Sequence, residues 1–341
     1  MLDLPRRGWT NALIRARIPY LPVHVDHIAR DADKFSVLIF PNVAAMSSAQ
    51  IEAVKHFVER GGSVTATGDT SRCNEWGEPQ PDFALADLFG CRVAGGQTAF
   101  AESRRRWAAA TQHTYLRLAP EIGSRAYGPR PGKEPAATGE RHAALKGFDA
   151  TDILPFGGSL EPLRVQSGAA VLATFIPALP AFPPEEVWMR VPRTDIPALI
   201  VNDTVGGGRV AFLPADLDRR FGRDNLPDHA NLLTNLVRWA ARDNFPLHVE
   251  GAGLVDCHLY RQKDKLVLHL VNLTNAGTWR APVDELIRVG PFRARVRLPA
   301  GIRGNRVQLL VAKRSAKAAA KDGWGLFEVP TILDHEVAVI G

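Results

Sequence analysis

Residues 35 to 41, Phe-Ser-Val-Leu-Ile-Phe-Pro, form an almost unbroken apolar run. A strand with one wet face alternates apolar and polar residues. A run like this one suits a strand covered on both faces, as in a parallel sheet. The residues that follow agree. Ser47 and Gln50 have the spacing of a capping box. Ile51, Val54, Phe57 and Val58 then form an apolar stripe at helical spacing. Gly61-Gly62 stops the helix, with Gly61 in the left-handed position. Ser63 to Gly68 reads as the next strand. Upstream, Arg7 to Arg17 has helical spacing through Trp9, Leu13 and Ile14, and Pro19 ends it. Tyr20 to Val25 reads as a strand. This β-α-β rhythm predicts a doubly wound α/β sheet.

The pattern continues less regularly. Asp82 to Gly90 reads as a helix, and Arg125 to Glu140, rich in Gly and Pro, as a loop. Val171 to Phe175, Ile196 to Val201 and Arg209 to Leu213 read as strands, with a tight turn or hairpin at Gly206-Gly207-Gly208. Asp228 is the expected cap of a helix reaching about Arg242, with Leu232, Leu233, Leu236, Val237 and Ala240 on its apolar face. After Asn244 the helical period nearly vanishes. Short alternating runs follow: Val255 to Tyr260, Lys265 to Leu273, Arg293 to Leu298, Arg306 to Val311, Gly325 to Val329 and Glu336 to Ile340. Such runs, separated by turn residues, predict a small all-β sandwich. The expected division is an α/β domain over residues 1–245 and a β-sandwich over 246–341. Two domains suit 341 residues at about 100–200 per domain.

A net charge of +6 raises the question of nucleic acid. The basic residues are scattered, however, and the two clusters, Arg104 to Arg106 and Lys313 to Lys321, are short. They read as solvated surface, the Ala-rich Ser315 to Lys321 being a loop or short helix, and no nucleic-acid partner is expected. No run approaches the ~18 apolar residues of a membrane span, so no membrane partner is expected either. Met1 to Ala12 lacks the apolar region of a secretory signal, which points to the cytoplasm. Cys73, Cys91 and Cys257 have no metal-binding spacing and read as inert. Neither a metal nor a cofactor is expected.

Several stretches together carry a resemblance. They are Gly8-Trp9, Val37 to Val43, Val58 to Gly62, and Thr65 to Thr70 with Glu75-Trp76-Gly77. Further matches are His142 to Phe148, Thr151 to Gly158, Val187 to Leu199 and, longest, Leu213 to Ala240. Residues 8 to 245 resemble the class I glutamine amidotransferase-like fold, which is flavodoxin-like. More closely they resemble the trimerisation (middle) domain of family 42 β-galactosidases and related glycoside hydrolases. The resemblance implies an oligomer, with a trimer as one form, or a catalytic barrel as partner. A C-terminal β-sandwich fits it. Such a barrel takes ~250 residues, and the sequence reading finds none in these 341. The reading also opens on a helix where a doubly wound domain opens on a strand, so the chain is expected to be a truncated or split product or a fragment, or else a domain that lost or rearranged its first strand.

A working amidotransferase of this fold needs a thiolate on a sharp strand-to-helix elbow, held near a histidine. Here the strand end reads Thr67-Gly68-Asp69-Thr70-Ser71, with Asp69 at the expected cysteine position. The resemblance places a His base and an orienting Glu at the end of the last strand. Leu213 and Ala215 stand there instead. Leucine cannot take a proton and alanine cannot orient one, so thiol amidotransferase chemistry is excluded and no catalytic residue is assigned.

The remaining candidates are ligand or interface residues. Asp216, Asp218, Arg219, Arg220, Asp224 and Asn225 crowd what reads as a loop after a buried strand, as either a sugar or partner site or an Asp–Arg network fixing the loop. His229 reads as a surface or network residue. Trp188 and Arg190 follow a Pro-rich segment and Trp76 follows the elbow strand, each suited to a sugar face or a neighbouring subunit. The leading expectation is a non-catalytic assembly or accessory module of a carbohydrate-active enzyme, in effect a pseudoenzyme. The alternatives are a hydrolase with a repurposed acidic site around Asp69, Asp216 and Asp218, and a carbohydrate-binding protein.

Overall fold

The computed structural model describes residues 3–94, 114–122, 140–158, 160, 162–177, 183–186, 194–203, 206–275 and 285–341. Trp188, Arg190, the Arg104–Arg106 cluster and all but Glu140 of the Arg125–Glu140 segment lie outside them. The chain is mixed α/β with a β-rich C-terminal region. It divides into two compact units, Met1–Trp9 with Val23–Asp243, and Thr10–Pro22 with Asn244–Gly341. This differs from a single cut near Phe245, because residues 10–22 group with the C-terminal strands.

The strands of the first unit are β1 (Val37–Phe40), β2 (Ser63–Thr67), β3 (Cys91–Val93), β4 (Tyr115–Leu118), β5 (Ile153–Pro155), β6 (Leu163–Val165), β7 (Ala170–Ile176), β8 (Pro197–Asn202) and β9 (Val210–Leu213). Among the described residues, seven of them form one sheet in the order β1-β2-β9-β8-β7-β4-β5. Only β1-β2-β9 is parallel; β9-β8-β7-β4-β5 is antiparallel throughout. The expected doubly wound sheet is thus a mixed one. Parallel neighbours need a long crossover, whereas β8 and β9 are joined by the short connection through Gly206–Gly208. The helices used below are α1 (Asp3–Ala16), α2 (Ser48–Glu59), α3 (Leu217–Asp224) and α4 (Pro227–Ala240).

The α2 helix forms as its residues dictate. Ser47 and Gln50 make both bonds of the capping box, and Gly61 has a φ of 92°. The α2 stripe joins Val64, Ala66, Val210 and Phe212 in one core cluster. Thr65 and Thr67 alternate with Val64 and Ala66, so their side chains emerge on the opposite face of the sheet. The α4 helix, whose apolar residues lie outside that cluster, packs on β2 and β9. Its N-cap is Leu226, with Pro227 in the first turn, and not Asp228 as expected. Proline is pre-organised for that position and loses no hydrogen bond there. The Asp82–Gly90 helix shrinks to Ala86–Phe89, closed by Gly90 at a φ of 68°. At the other end of the sheet, two buried ion pairs stand close in sequence: Arg117–Glu121, at 2.7 Å, and Arg141–Asp152.

In the second unit the strands are β10 (Leu247–Glu250), β11 (Val255–Gln262), β12 (Lys265–Asn272), β13 (Phe292–Arg297), β14 (Val307–Leu309), β15 (Arg314–Ala316), β16 (Ala318–Lys321), β17 (Trp324–Val329) and β18 (His335–Ile340). They form sheets in the orders β10-β13-β17-β16 and β11-β12-β18-β14-β15, with every pairing antiparallel. Phe292, Val296, Phe327 and Val329 of one sheet share a core with Leu266, Leu268, Leu270 and Ile340 of the other. The Ala-rich segment is strand, not the expected loop or helix. Pairing with β17 and β14 overrides the weak local preference of alanine. Tyr20 to Val25 is not a strand either. Pro19 and Pro22 interrupt the donors a ladder needs. Arg17 instead anchors this segment by donating to the carbonyls of Val249, Gly251 and Gly253.

Candidate functional site

The carboxyl ends of parallel strands are where sheets of this kind hold ligands. The β2 and β9 ends lie side by side. Thr67 is in register with Leu213, and Gly68 N donates to Leu213 O at 3.0 Å. The chain turns sharply after Thr67. Gly68 has a φ of 60°, and a methyl group there would crowd the Asn42 side chain. Asn42 Oδ1 also accepts from Asp69 N at 2.8 Å. A nucleophile elbow displays its reactive side chain from the strained residue of such a turn. Here that residue is Gly68, which has no side chain, and Asp69 is the half-buried residue after it. On the facing strand end, Leu213 and Ala215 are fully buried and apolar.

Residues 217–224 are not a loop. They form α3, because Leu217, Phe221 and Gly222 turn inward while Arg220 and Arg223 reach outward. The charges that hid this helix in the sequence are largely paired within it. Arg220 Nε lies 2.5 Å from Asp224 Oδ2, and Arg223 Nε lies 2.8 Å from Asp224 Oδ1. Asn225, at a φ of 56°, is the left-handed residue that closes the helix. These residues shape α3 and cap it.

Asp216 and Asp218 are different. Both have 0% of their surface exposed. Arg219 grips Asp216 with two donors, Nε to Oδ2 at 2.7 Å and Nη2 to Oδ1 at 3.3 Å. Asp218 accepts from Thr67 Oγ1 at 2.5 Å and from Arg219 N at 2.8 Å. The Trp9 indole also favours the charged Asp218, from outside strict hydrogen-bond geometry. Burial still dominates. It pushes the Asp216 carboxyl up to about 8 against the pull of Arg219, with Asp218 and Asp69 adding to the rise. It pushes Asp218 up to about 6.

Of the candidates read from sequence, the fold therefore gathers Asp69, Asp216, Asp218 and Arg219. Sequence reasoning missed Thr67 and Trp9 as their partners. It also missed Gly8, where a methyl group would overlap the Asp218 carbonyl oxygen. Gly222 meets the Leu4 carbonyl in the same close way, so the first turns of α1 lie against α3 backbone to backbone. A glycine inside a helical pattern beside a tryptophan was the available signal.

His229 is fully buried rather than at the surface. Its Nε2 donates to Pro155 O at 2.8 Å, and burial pushes it down to about 4, so the ring stays neutral. Trp76 stands elsewhere, at the tip of a turn organised by Asn74, whose Oδ1 accepts from Trp76 N and Glu78 N. The Trp76 residue is 82% exposed. All three cysteines are buried, and burial pushes the Cys91 and Cys257 thiols up to about 12. Among the described residues, no three His, Cys, Asp or Glu side chains converge as a metal site, and no helix is long and apolar enough to cross a membrane.

No family model and no curated protein matches the sequence. Solved structures do match the fold. The α-L-fucosidase isoenzyme 2 of Paenibacillus thiaminolyticus aligns over 99% of this chain and 45% of its own, at a TM-score of 0.66 and 14% identity. A β-galactosidase from Bacillus circulans sp. alkalophilus aligns over 100% of this chain and 38% of its own, at a TM-score of 0.59 and 14% identity. A GH42 β-galactosidase of G. stearothermophilus, as a catalytic mutant, aligns over 98% and 35%, at 0.54 and 14% identity. The chain thus has a fold found within glycoside hydrolases and spans less than half the length of the structures it matches.

Proposed function

We propose that this chain is a non-catalytic assembly or accessory module of a carbohydrate-active, β-galactosidase-like glycoside hydrolase. One observation carries the reading. The strand-end position suited to chemistry is filled from within. Gly68, Leu213 and Ala215 occupy the reactive places, and of the three carboxylates gathered there Asp216 and Asp218 are wholly buried against Arg219 and Thr67, which leaves only the half-buried Asp69 accessible. Most glycosidases flank the scissile bond with two accessible carboxyl groups, and no sugar can touch a group with no exposed surface. The match along the whole chain to part of several glycoside hydrolases supports the carbohydrate context. The partner on this reading is a second copy of the chain, with a trimer as the form the sequence resemblance implies, or a catalytic barrel.

Light scattering coupled to size exclusion, with a panel of chromogenic glycosides, tests the reading. The expected result is a discrete oligomer with no turnover of any glycoside. A strict monomer at high concentration, or turnover abolished by Asp216→Asn, would overturn it. Turnover of that kind would favour a repurposed acidic site.

A further inference from the structure

The outer face of the β10-β13-β17-β16 sheet has an uneven charge pattern. On β13, Phe292, Ala294 and Val296 are buried, so Arg293, Arg295 and Arg297 share the outer face and are exposed. Successive members stand two residues apart, about 6.5–7 Å along the strand. Arg293 is charge-matched, with Glu250 opposite on β10 and Glu328 opposite on β17. Arg295 faces His248 and Leu326, and Arg297 faces Trp324. Among the described residues, no carboxylate stands opposite either on β10 or β17. Trp324 in turn faces Lys321 on β16. Both guanidinium groups lie against the Trp324 ring, Arg295 at 5.0 Å and Arg297 at 5.1 Å from its centroid. His248 lies 5.4 Å from the same ring.

Two adjacent arginines without opposing acids repel each other, and the half-buried indole holds their planes in place by cation–π contact. A guanidinium so held presents its donors as a fixed fork, which matches a carboxylate. The wider region has the same sign. Residues 246–341 contain fourteen Lys and Arg against nine Asp and Glu, a net +5 of the chain's +6. A surface that tracks a nucleic-acid backbone neutralises many phosphates in a row, roughly 6–10 in a strong binder. This patch has two arginines and one lysine, bounded at Arg293 by Glu250 and Glu328. Its size suits a short acidic ligand.

We infer that Arg295, Arg297, Trp324 and Lys321 form a binding patch for an acidic oligosaccharide bearing uronate carboxylates. The carbohydrate part of this inference rests on the function proposed above. The arginines take the carboxylates, and the indole edge and Lys321 border the sugar.

Calorimetry on the full chain tests it, with an oligogalacturonate, a neutral galacto-oligosaccharide of equal length, a sulfated oligosaccharide and a DNA duplex. The expected result is binding of the oligogalacturonate, with the other three at least tenfold weaker. The Arg295→Gln/Arg297→Gln variant is expected to lose at least tenfold in affinity, and Arg293→Gln less than threefold. The Arg295→Lys/Arg297→Lys variant keeps the charge but loses the fork, so it should also weaken binding at least fivefold; unchanged melting temperatures would show that each variant folds. No oligogalacturonate binding, tighter binding of DNA or sulfated sugar, or equal loss in Arg293→Gln would each overturn the inference. A chain that assembles without turnover yet binds no uronate would fail here alone. Turnover of glycosides would fail the proposed function alone.

Discussion

Two of the charged clusters of this molecule use charge to opposite ends. In the first unit Asp216, Asp218 and Arg219 are buried, and protein partners satisfy them. In the second unit Arg295 and Arg297 are exposed, with no acid opposite. Burial makes a charge expensive unless its partner is present, so the first cluster is bound to the fold. Exposure makes an unmatched charge cheap, so the second is free to meet a ligand. The sequence drew attention to the first because its acids and arginines are adjacent along the chain. Chemistry needs access, and access separates the two regions better than charge density does.

The sharpest way to break this contrast is to remove one buried partner. At pH 8.5, where both groups are charged, Asp216→Ala takes from the buried Arg219 guanidinium the carboxylate that accepts two of its hydrogen bonds. The expected loss is about 3–5 kcal/mol of folding stability, measured by urea denaturation. The double variant Asp216→Ala/Arg219→Met should recover part of that loss, because the Arg219 charge goes with its partner while Asp218 keeps its bonds from Thr67 Oγ1 and the residue 219 backbone N–H. A single variant that lost under 1 kcal/mol would show that water reaches the pair.

A smaller loss is expected from Gly8→Ala. The added methyl meets the backbone carbonyl of Asp218, which cannot turn away as a side chain can. Overpacking of this kind typically costs about 1–3 kcal/mol. The same substitution at Gly207, where nothing lies within 4 Å, meets no neighbour. Its φ of 84° leaves backbone strain as the cost there, so the pair of variants separates crowding from strain.

The pH profile comes next. Asp216 is pushed up to about 8 from an ordinary 3.8. Between those values the folded state holds a proton that the unfolded chain has released. Its contribution is fully present below 3.8 and is lost as pH rises through about 8. His229, pushed down to about 4 from 6.5, has the opposite sign below pH 6.5, where acid favours the unfolded chain. From pH 6.5 to 8.5 the Asp216 effect therefore stands clear of it. Stability should fall there with rising pH, by at most about 1.4 kcal/mol per pH unit for one group. Asp216→Asn should flatten the denaturation midpoint across that range. An unchanged slope would assign the effect to other groups.

Local signals in this chain were readable; pairings between distant segments were not. The Ser47 capping box, the α2 stripe and the alternation of β11 to β13 each depend on residues a few positions apart, and each forms as expected. The antiparallel half of the first sheet depends on contacts between β4, β5, β7 and β8, which no local pattern encodes. The α3 helix was hidden because only Leu217 and Phe221 supply large apolar side chains, with charges on every other side. At the candidate site, Asp216 and Arg219 were legible as neighbours at helical spacing. Their complete burial was not, nor was the reach of Thr67 across 151 positions to Asp218. The Arg295–Trp324 contact was invisible for the same reason: alternation shows that β13 has a polar face, while the register with β17 decides what that face meets.

The smallest expected effect is also the one that best defines the second region. Arg295→Gln/Arg297→Gln removes two exposed charges with no opposing acid. Each loses a cation–π contact of about 0.5–1 kcal/mol, and each relieves repulsion from its neighbour. These terms oppose one another, so the net change in stability should lie within about 0.5 kcal/mol, as for ordinary surface substitutions. Arg293→Gln removes a charge flanked by Glu250 and Glu328 and leaves those acids facing each other's field without a cation between them. It should therefore destabilise slightly more than the double variant, although it changes one residue instead of two. Parallel thermal melts in low salt test the order, since exposed charge effects are strongest there. A double variant clearly less stable than Arg293→Gln would mean that the Arg295–Arg297 row holds the sheet together, and the distinction between a bound cluster and a free one would fail at its free end.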